Sequence, residues 1–327
     1  MKTSTVVFAL LLLCTLPLLA ADEGDFDRTL NVTGPVELDV TTGSGHINVH
    51  PGNSGVVAIH GHVRAGECCS IHLFGGGGDP AQMVKQIIAN PPIEQSGNVI
   101  RVGHFGQSQE HDNISISYDI TVPPQTRLTS HTGSGRQEIS GISGPAEITA
   151  GSGSLRISDI AGDVRAHTGS GRMELSNLGA SVRAVAGSGT ITGDRLGAGS
   201  AVQTSAQREG ASSGAAGSDL SFQTGSGGIR VHDLTGIVRA HAGSGSIDVE
   251  GRPTGDWSLG TGSGSVTLRL PAEAAFDLYA RTGSGRITSD RPLTIQGNVS
   301  RRALRGKVGN GGVHLDVHTG SGSIRIQ

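Results

Sequence analysis

The chain has 327 residues, of which 53 are Gly, 3% are aromatic and 16% are charged. That composition excludes a thick core of large aromatic side chains and favours a thin core of small and β-branched residues joined by tight turns. A formal net charge of −3 removes the electrostatic case for nucleic acid or an anionic membrane surface as partner.

Residues 1–21 have the layout of a secretory signal peptide. Lys2 comes first, an apolar run extends from Val6 to Leu19, and Leu19-Ala20-Ala21 forms a small-residue cleavage site. The run is too short for a membrane span, and Cys14 lies inside it rather than at the cleavage point, which argues against lipid attachment. The expected location is extracytoplasmic (periplasm, cell surface or medium), with no membrane span in the mature chain. Cys68 and Cys69 are adjacent and ill placed for an ordinary disulfide, so no disulfide framework is expected.

Residues 22–130 read as an irregular β-rich part. Val36-Glu37-Leu38-Asp39-Val40 alternates, Gly43-Ser44-Gly45 turns the chain, and His46-Ile47-Asn48-Val49 follows. Val57 to Val63 alternates again, with Ile59 and Val63 on one face and His60 and His62 on the other. After the glycines at 75–78, Asp79-Pro80 supplies a cap and a first-position proline for one short helix over 79–90. Its apolar face is Met83, Val84, Ile87 and Ile88, and Asn90-Pro91-Pro92 stops it. Strands resume at Val99–Val102 and Ile114–Val122.

Residues 131–327 are periodic. Gly-Ser-Gly opens at Gly133, Gly151, Gly169 and Gly187, at a step of eighteen residues, and again at Gly225, Gly243, Gly262, Gly283 and Gly320. Its closing glycines are Gly135, Gly153, Gly171, Gly189, Gly227, Gly245, Gly264, Gly285 and Gly322. In the unit that starts at Gly151, Leu155, Ile157, Ile160, Val164 and Ala166 fall on one side, and Arg156, Asp163, Arg165 and His167 on the other. Two short strands per unit, bounded by glycine, predict an all-β solenoid of roughly 18-residue coils. Coils stack about 4.8 Å apart, so about a dozen make a rod on the order of 55 Å long. The gap between Gly187 and Gly225 reads as two units, with a polar loop at 205–217 bulging from a degenerate coil. Gly309-Asn310-Gly311-Gly312 stands where another corner is missing.

Tyr118-Asp119-Ile120-Thr121-Val122-Pro123 leads into Thr132-Gly133-Ser134-Gly135, and Leu268-Arg269-Leu270-Pro271-Ala272 precedes Thr282-Gly283-Ser284-Gly285. With the terminal Thr319-Gly320-Ser321-Gly322-Ser323-Ile324-Arg325-Ile326, these stretches resemble the bacterial putative-adhesin family of β-strand-repeat proteins, related to auto-transporter adhesin head domains. The resemblance covers most of the mature chain. It implies a right-handed single-stranded β-solenoid outside the cytoplasm, with adhesion as its role, and supplies no catalytic residues.

The chemistry the residues offer is sparse. Every Gly-Ser-Gly runs into a strand rather than a helix, which excludes a phosphate loop. Asp159, Asn177, Asp233, Gly141 and Gly251 share one register position. Tolerance of a left-handed backbone explains that column better than a catalytic acid pair does. His131, His167, His241 and His318 recur two residues before Gly-Ser-Gly, as a solvated ladder. The sharpest metal candidate is His60, His62 and His72, brought together if Val57–Arg64 and Cys68–Phe74 form a hairpin. No serine occupies a nucleophile elbow, and Arg301, Arg302, Arg305 and Lys307 read as a basic loop. The expectation is a non-enzymatic envelope or surface module, without cofactor, that meets a glycan or protein partner through its outer faces. A carbohydrate-active β-helix enzyme is the alternative, and a small metal-binding envelope protein a third.

Overall fold

The computed structural model describes residues 23–66, 80–105, 114–197, 218–295 and 300–327. Residues 1–21, expected as a signal peptide, Cys68, Cys69, His72, the glycines at 75–78 and residues 205–217, expected as a loop, lie outside the described residues.

The first elements are β1 (Glu23–Asn31), β2 (Glu37–Thr42), β3 (Ile47–Pro51), β4 (Val56–Ala65) and helix α1 (Pro80–Ala89). Next come β5 (Ile93–Ser96), β6 (Val99–Val102), β7 (Ile114–Val122), β8 (Arg127–Thr132) and β9 (Gln137–Ser140). The regular coils are built from β10 (Ala146–Ala150), β11 (Leu155–Ile160), β12 (Val164–Thr168), β13 (Met173–Leu178), β14 (Val182–Ala186) and β15 (Ile191–Leu196). They continue through β16 (Asp219–Thr224), β17 (Ile229–Ala242), β18 (Ile247–Thr261) and β19 (Val266–Arg269). The last elements are β20 (Phe276–Thr282), β21 (Ile287–Ser289), β22 (Thr294–Ile295), β23 (Ala303–Val308), β24 (Val313–Thr319) and β25 (Ile324–Ile326).

Each coil carries one strand before its Gly-Ser-Gly corner and one after it, and each stacks in parallel on its counterpart in the next coil. The leading row runs β6, β2, β8, β10, β12, β14, β16, the second half of β17, the second half of β18, β24 and β20. The trailing row runs β7, β3, β9, β11, β13, β15, the first halves of β17 and β18, β19, β25 and β21. This is a β-solenoid, as the eighteen-residue period predicts: Ala146 pairs with Val164, and Val164 with Val182.

The core is the strip between the two rows. In β11 the burial alternates until Ser158 and Asp159, where two residues in succession face outward before Ile160 turns in again. Leu155, Ile157, Ile160, Val164 and Ala166 are all at most 3% exposed. Burying each large aliphatic side chain contributes about 1.5–3 kcal/mol. Inward residues pack within their own coil and on the coils above and below, so the core is continuous along the axis but thin. Polar side chains buried with it are hydrogen-bonded. Ser130 donates to Gln137 Oε1 at 2.5 Å, and the Gln137 amide donates to the Thr149 carbonyl at 2.6 Å.

Both ends depart from simple succession. At the N-terminal end β4 is antiparallel to β7 and β1 to β4, while β5 folds back on β6. Helix α1 lies against β1 and β4 with Val84 and Ile87 buried. At the C-terminal end the final coil, β24 with β25, inserts between β18–β19 and β20–β21. Antiparallel β23 and then β22 close the leading row.

Three expectations are corrected here. The step from β14 to β16 and from β15 to β17 is a single coil, so no degenerate coil separates Gly187 from Gly225. The residues between Gly197 and Ser218 lie outside the described residues. Gly309-Asn310-Gly311-Gly312 is not a lost corner. It is the turn from β23 to β24, with Gly309, Gly311 and Gly312 at positive φ. Arg305 and Lys307 lie in strand β23, not in a loop, and Lys307 Nζ is 3.8 Å from Asp277.

Candidate ligand-binding faces

The corners hold the faces in register. A Cβ on Gly135 would overlap the carbonyl oxygen of Gly45, and one on Gly171 would overlap that of Gly153. These glycines are required by coil stacking, not by a left-handed backbone, since neither has a positive φ. The threonine before the corner locks it. Thr168 Oγ1 donates to the Gly153 carbonyl at 3.1 Å and accepts from the Gly171 N–H at 3.1 Å. Thr224 and Thr261 repeat the pair with Gly189 and Gly227 and with Gly245 and Gly264. Ala150, Ala186 and Ala242 take the intervening positions of the column. Sequence reasoning saw the glycines and missed this clamp, whose signal was the alternation of Thr and Ala ahead of them.

The opposite corner explains the column of acids. Asp159, Asn177 and Asp233 have φ of 57°, 53° and 52°, and Gly141 has 68°. Each is an outward bulge that lets the next aliphatic residue face the core. Arg195, at φ 52°, belongs to the same column. Gly251 does not. Val249 pairs with Val231 and Gly251 with Leu234, so Glu250 alone faces His232 and Asp233 and the bulge is absent.

On the outer side of the trailing row, ion pairs run from coil to coil. Arg156 Nη2 is 2.8 Å from Glu174, His232 Nδ1 is 3.3 Å from Glu250, and Arg269 Nη1 is 2.5 Å from Asp248. These pairs are largely solvated and each contributes little stability. Shallow troughs of ≈ 480 and ≈ 580 Å³ run among them, meeting at Asp194 and His232.

On the outer side of the leading row, Thr149, His167, Val185, Gln223, His241, Gly260 and His318 form one column. His131 continues it between Thr149 and Thr41. His241 and His318 lean over Gly260, and their ring centroids are 6.3 Å apart. A Cβ at Gly260 would run into the His318 ring, so the glycine makes this approach possible. The neighbouring column is Glu147, Arg165, Arg183, Ser221 and Arg239. Arg239 is paired with Asp219 at 2.5 Å. A trough of ≈ 340 Å³ is lined by Glu147, Arg165, His167, Arg183, Val185 and Gln223.

The proposed histidine cluster has a different setting from the one expected. Both flanks of β4 are occupied, with Asp27 of β1 and Asp119 of β7 opposite His60. The hairpin that would set His72 against His60 is therefore not the pairing of β4. His60 Nδ1 is 2.8 Å from Asp27 and His62 Nδ1 is 2.6 Å from Asp25, while Arg64 faces Glu23 at 3.4 Å. The hydrogen bond to Asp27 raises the His60 pKa, desolvation lowers it, and the charges of Asp27, Asp25 and Asp119 raise it further. Among the described residues no group of three or more His, Cys, Asp or Glu is arranged to hold a metal ion. Beneath this cap, Tyr118 packs edge-on against Phe26 at 6.4 Å, and burial holds its phenol well above its ordinary pKa.

No helix among the described residues is long and apolar enough to cross a membrane. A family model described as Toastrack DUF4097 matches residues 108–327. Curated proteins give no match. Among solved structures, a putative cell adhesion protein from Clostridium sporogenes is 11% identical, with a TM-score of 0.19 and 93% of this chain and 99% of that one covered. A putative adhesin from Bacteroides fragilis is also 11% identical, with a TM-score of 0.40 and 93% and 97% covered.

Proposed function

We propose, taking as premise that the chain belongs to the Toastrack DUF4097 family, that it is an exported, non-enzymatic binding module of the cell envelope or surface. In this reading residues 1–21 direct export, and the outer faces of the coils meet an extracellular glycan or protein in the manner of an adhesin. One observation carries it. The polar side chains capable of recognition stand in outward columns at the coil repeat and line shallow open troughs on both rows. Such a surface suits many weak contacts to an extended partner. The left-handed bulge accounts for the acids that a hydrolase would need as a pair.

The test expresses the full chain, fractionates the cells, sequences the N-terminus of the product, and probes an array of glycans and extracellular proteins with it. The reading expects a product that starts near Asp22, recovered outside the cytoplasm, and retained by a defined set of array members without their degradation. A full-length cytoplasmic product, a blank array or release of cleaved glycan would overturn it.

A further inference from the structure

We infer that Arg165 and Arg183 form a carboxylate-binding site for an acidic, uronate-class glycan. This rests on reading the outer face of the leading row as a binding surface. The register places Arg165 directly opposite Arg183, and both side chains are exposed. Like charges on facing strand positions destabilise a sheet. Yet neither guanidinium forms an ion pair or hydrogen bond among the described residues. Of the other charges in the column, Glu147 lies opposite Arg165 on its other side but forms no ion pair with it, and Arg239, past Ser221, is paired with Asp219. Two free guanidinium groups about 4.8 Å apart at the backbone can grip one oxyanion from both sides. Their planar forks match a carboxylate, and the bound anion removes the repulsion between them.

The surroundings select the carrier of that carboxylate. The trough floor offers Thr149, His167 and Gln223 to hydroxyl groups, and Val185 to a C–H face. An acidic peptide could not add as a strand, because β12 and β14 are each paired on both sides, and would have only the two arginines to hold it. An anionic membrane calls for a cluster of some 4–8 basic residues, whereas here two arginines are bracketed by Glu147 and the Asp219–Arg239 pair.

Calorimetric titration of the full chain with hexagalacturonate tests this, with its methyl ester and a hexaglutamate peptide as comparison probes. The wild type should bind hexagalacturonate and neither of the others comparably. R165Q and R183Q should each weaken binding about tenfold or more, with unchanged circular dichroism, because both side chains are solvent-facing. No binding of hexagalacturonate, equal binding of the ester or the peptide, or undiminished binding by the double variant would overturn the site. If any of these occurs while the wild type still binds array ligands, only this site fails and the binding-module reading stands. A blank array removes that reading as well.

Discussion

At the scale of single residues, the corner glycines divide into those that stacking demands and those it does not. Gly135 lies against the Gly45 carbonyl, so Gly135→Ala forces backbone against backbone and should cost about 1–3 kcal/mol or more. Gly43 has nothing within 4 Å of where a Cβ would lie, and its φ is outside the left-handed range. Gly43→Ala should therefore stay within about 0.5 kcal/mol of wild type. Urea denaturation of both variants decides the matter: equal losses would mean that the glycines serve turn conformation and not coil contact. The columns of Asp159, Asn177 and Asp233 were legible before the fold was seen, because small polar residues tolerate a left-handed backbone. Arg195 in the same column was not, because its long side chain carries no such signature. Gly251 misled for the converse reason, since glycine fits both a bulge and a close approach.

At the scale of elements, the antiparallel cap is tied to β4 by charge as well as by hydrogen bonds. Glu23, Asp25 and Asp27 of β1 face Arg64, His62 and His60 of β4, and Asp119 approaches His60 from β7. The His60 pKa is raised in the folded chain, with the Asp27 hydrogen bond as the leading cause. Its contribution is therefore complete below the ordinary histidine value of about 6.5. It is lost as pH climbs through the raised value. Protection of β1 amides from hydrogen exchange, corrected for intrinsic rates, should fall between pH 6 and pH 8 relative to amides of β10. Asp27→Asn should flatten that difference, and a pH-independent ratio in the wild type would show that β1 is held without the imidazole. The effect is small, because His60 and Asp27 are at least half exposed. The strand face bearing His60 and His62 was readable from alternation alone. Their partners were not, because β1 and β7 are distant in sequence and alternation says nothing of which strands meet.

At the scale of the whole molecule, the eighteen-residue period told where coils begin and what faces inward, but not their order. A repeat specifies contact with a neighbour of like shape, and at the C-terminal end two such neighbours compete for one place. The final coil wins the inner one, setting Leu315 and Val317 against Trp257 and Leu259 on one side and against Leu278 and Ala280 on the other. The consequence is a closed end in which the last residues of the chain form an interior layer. In a solenoid of simple succession, removal of the last coil exposes one edge and leaves its neighbour folded. Here, deletion of residues 313–327 takes away the layer that joins β20 and β21 to the rest. The Trp257 ring would lose its cover, and β20 with β23 would be left as a hairpin too small to persist in water. Hydrogen exchange of the truncated chain should show β20, β21 and β23 unprotected, with β19 weakened and β10 to β15 retaining wild-type protection. Survival of protection in β20 and β23 would mean that the cap folds on its own and that the inserted coil is a passenger.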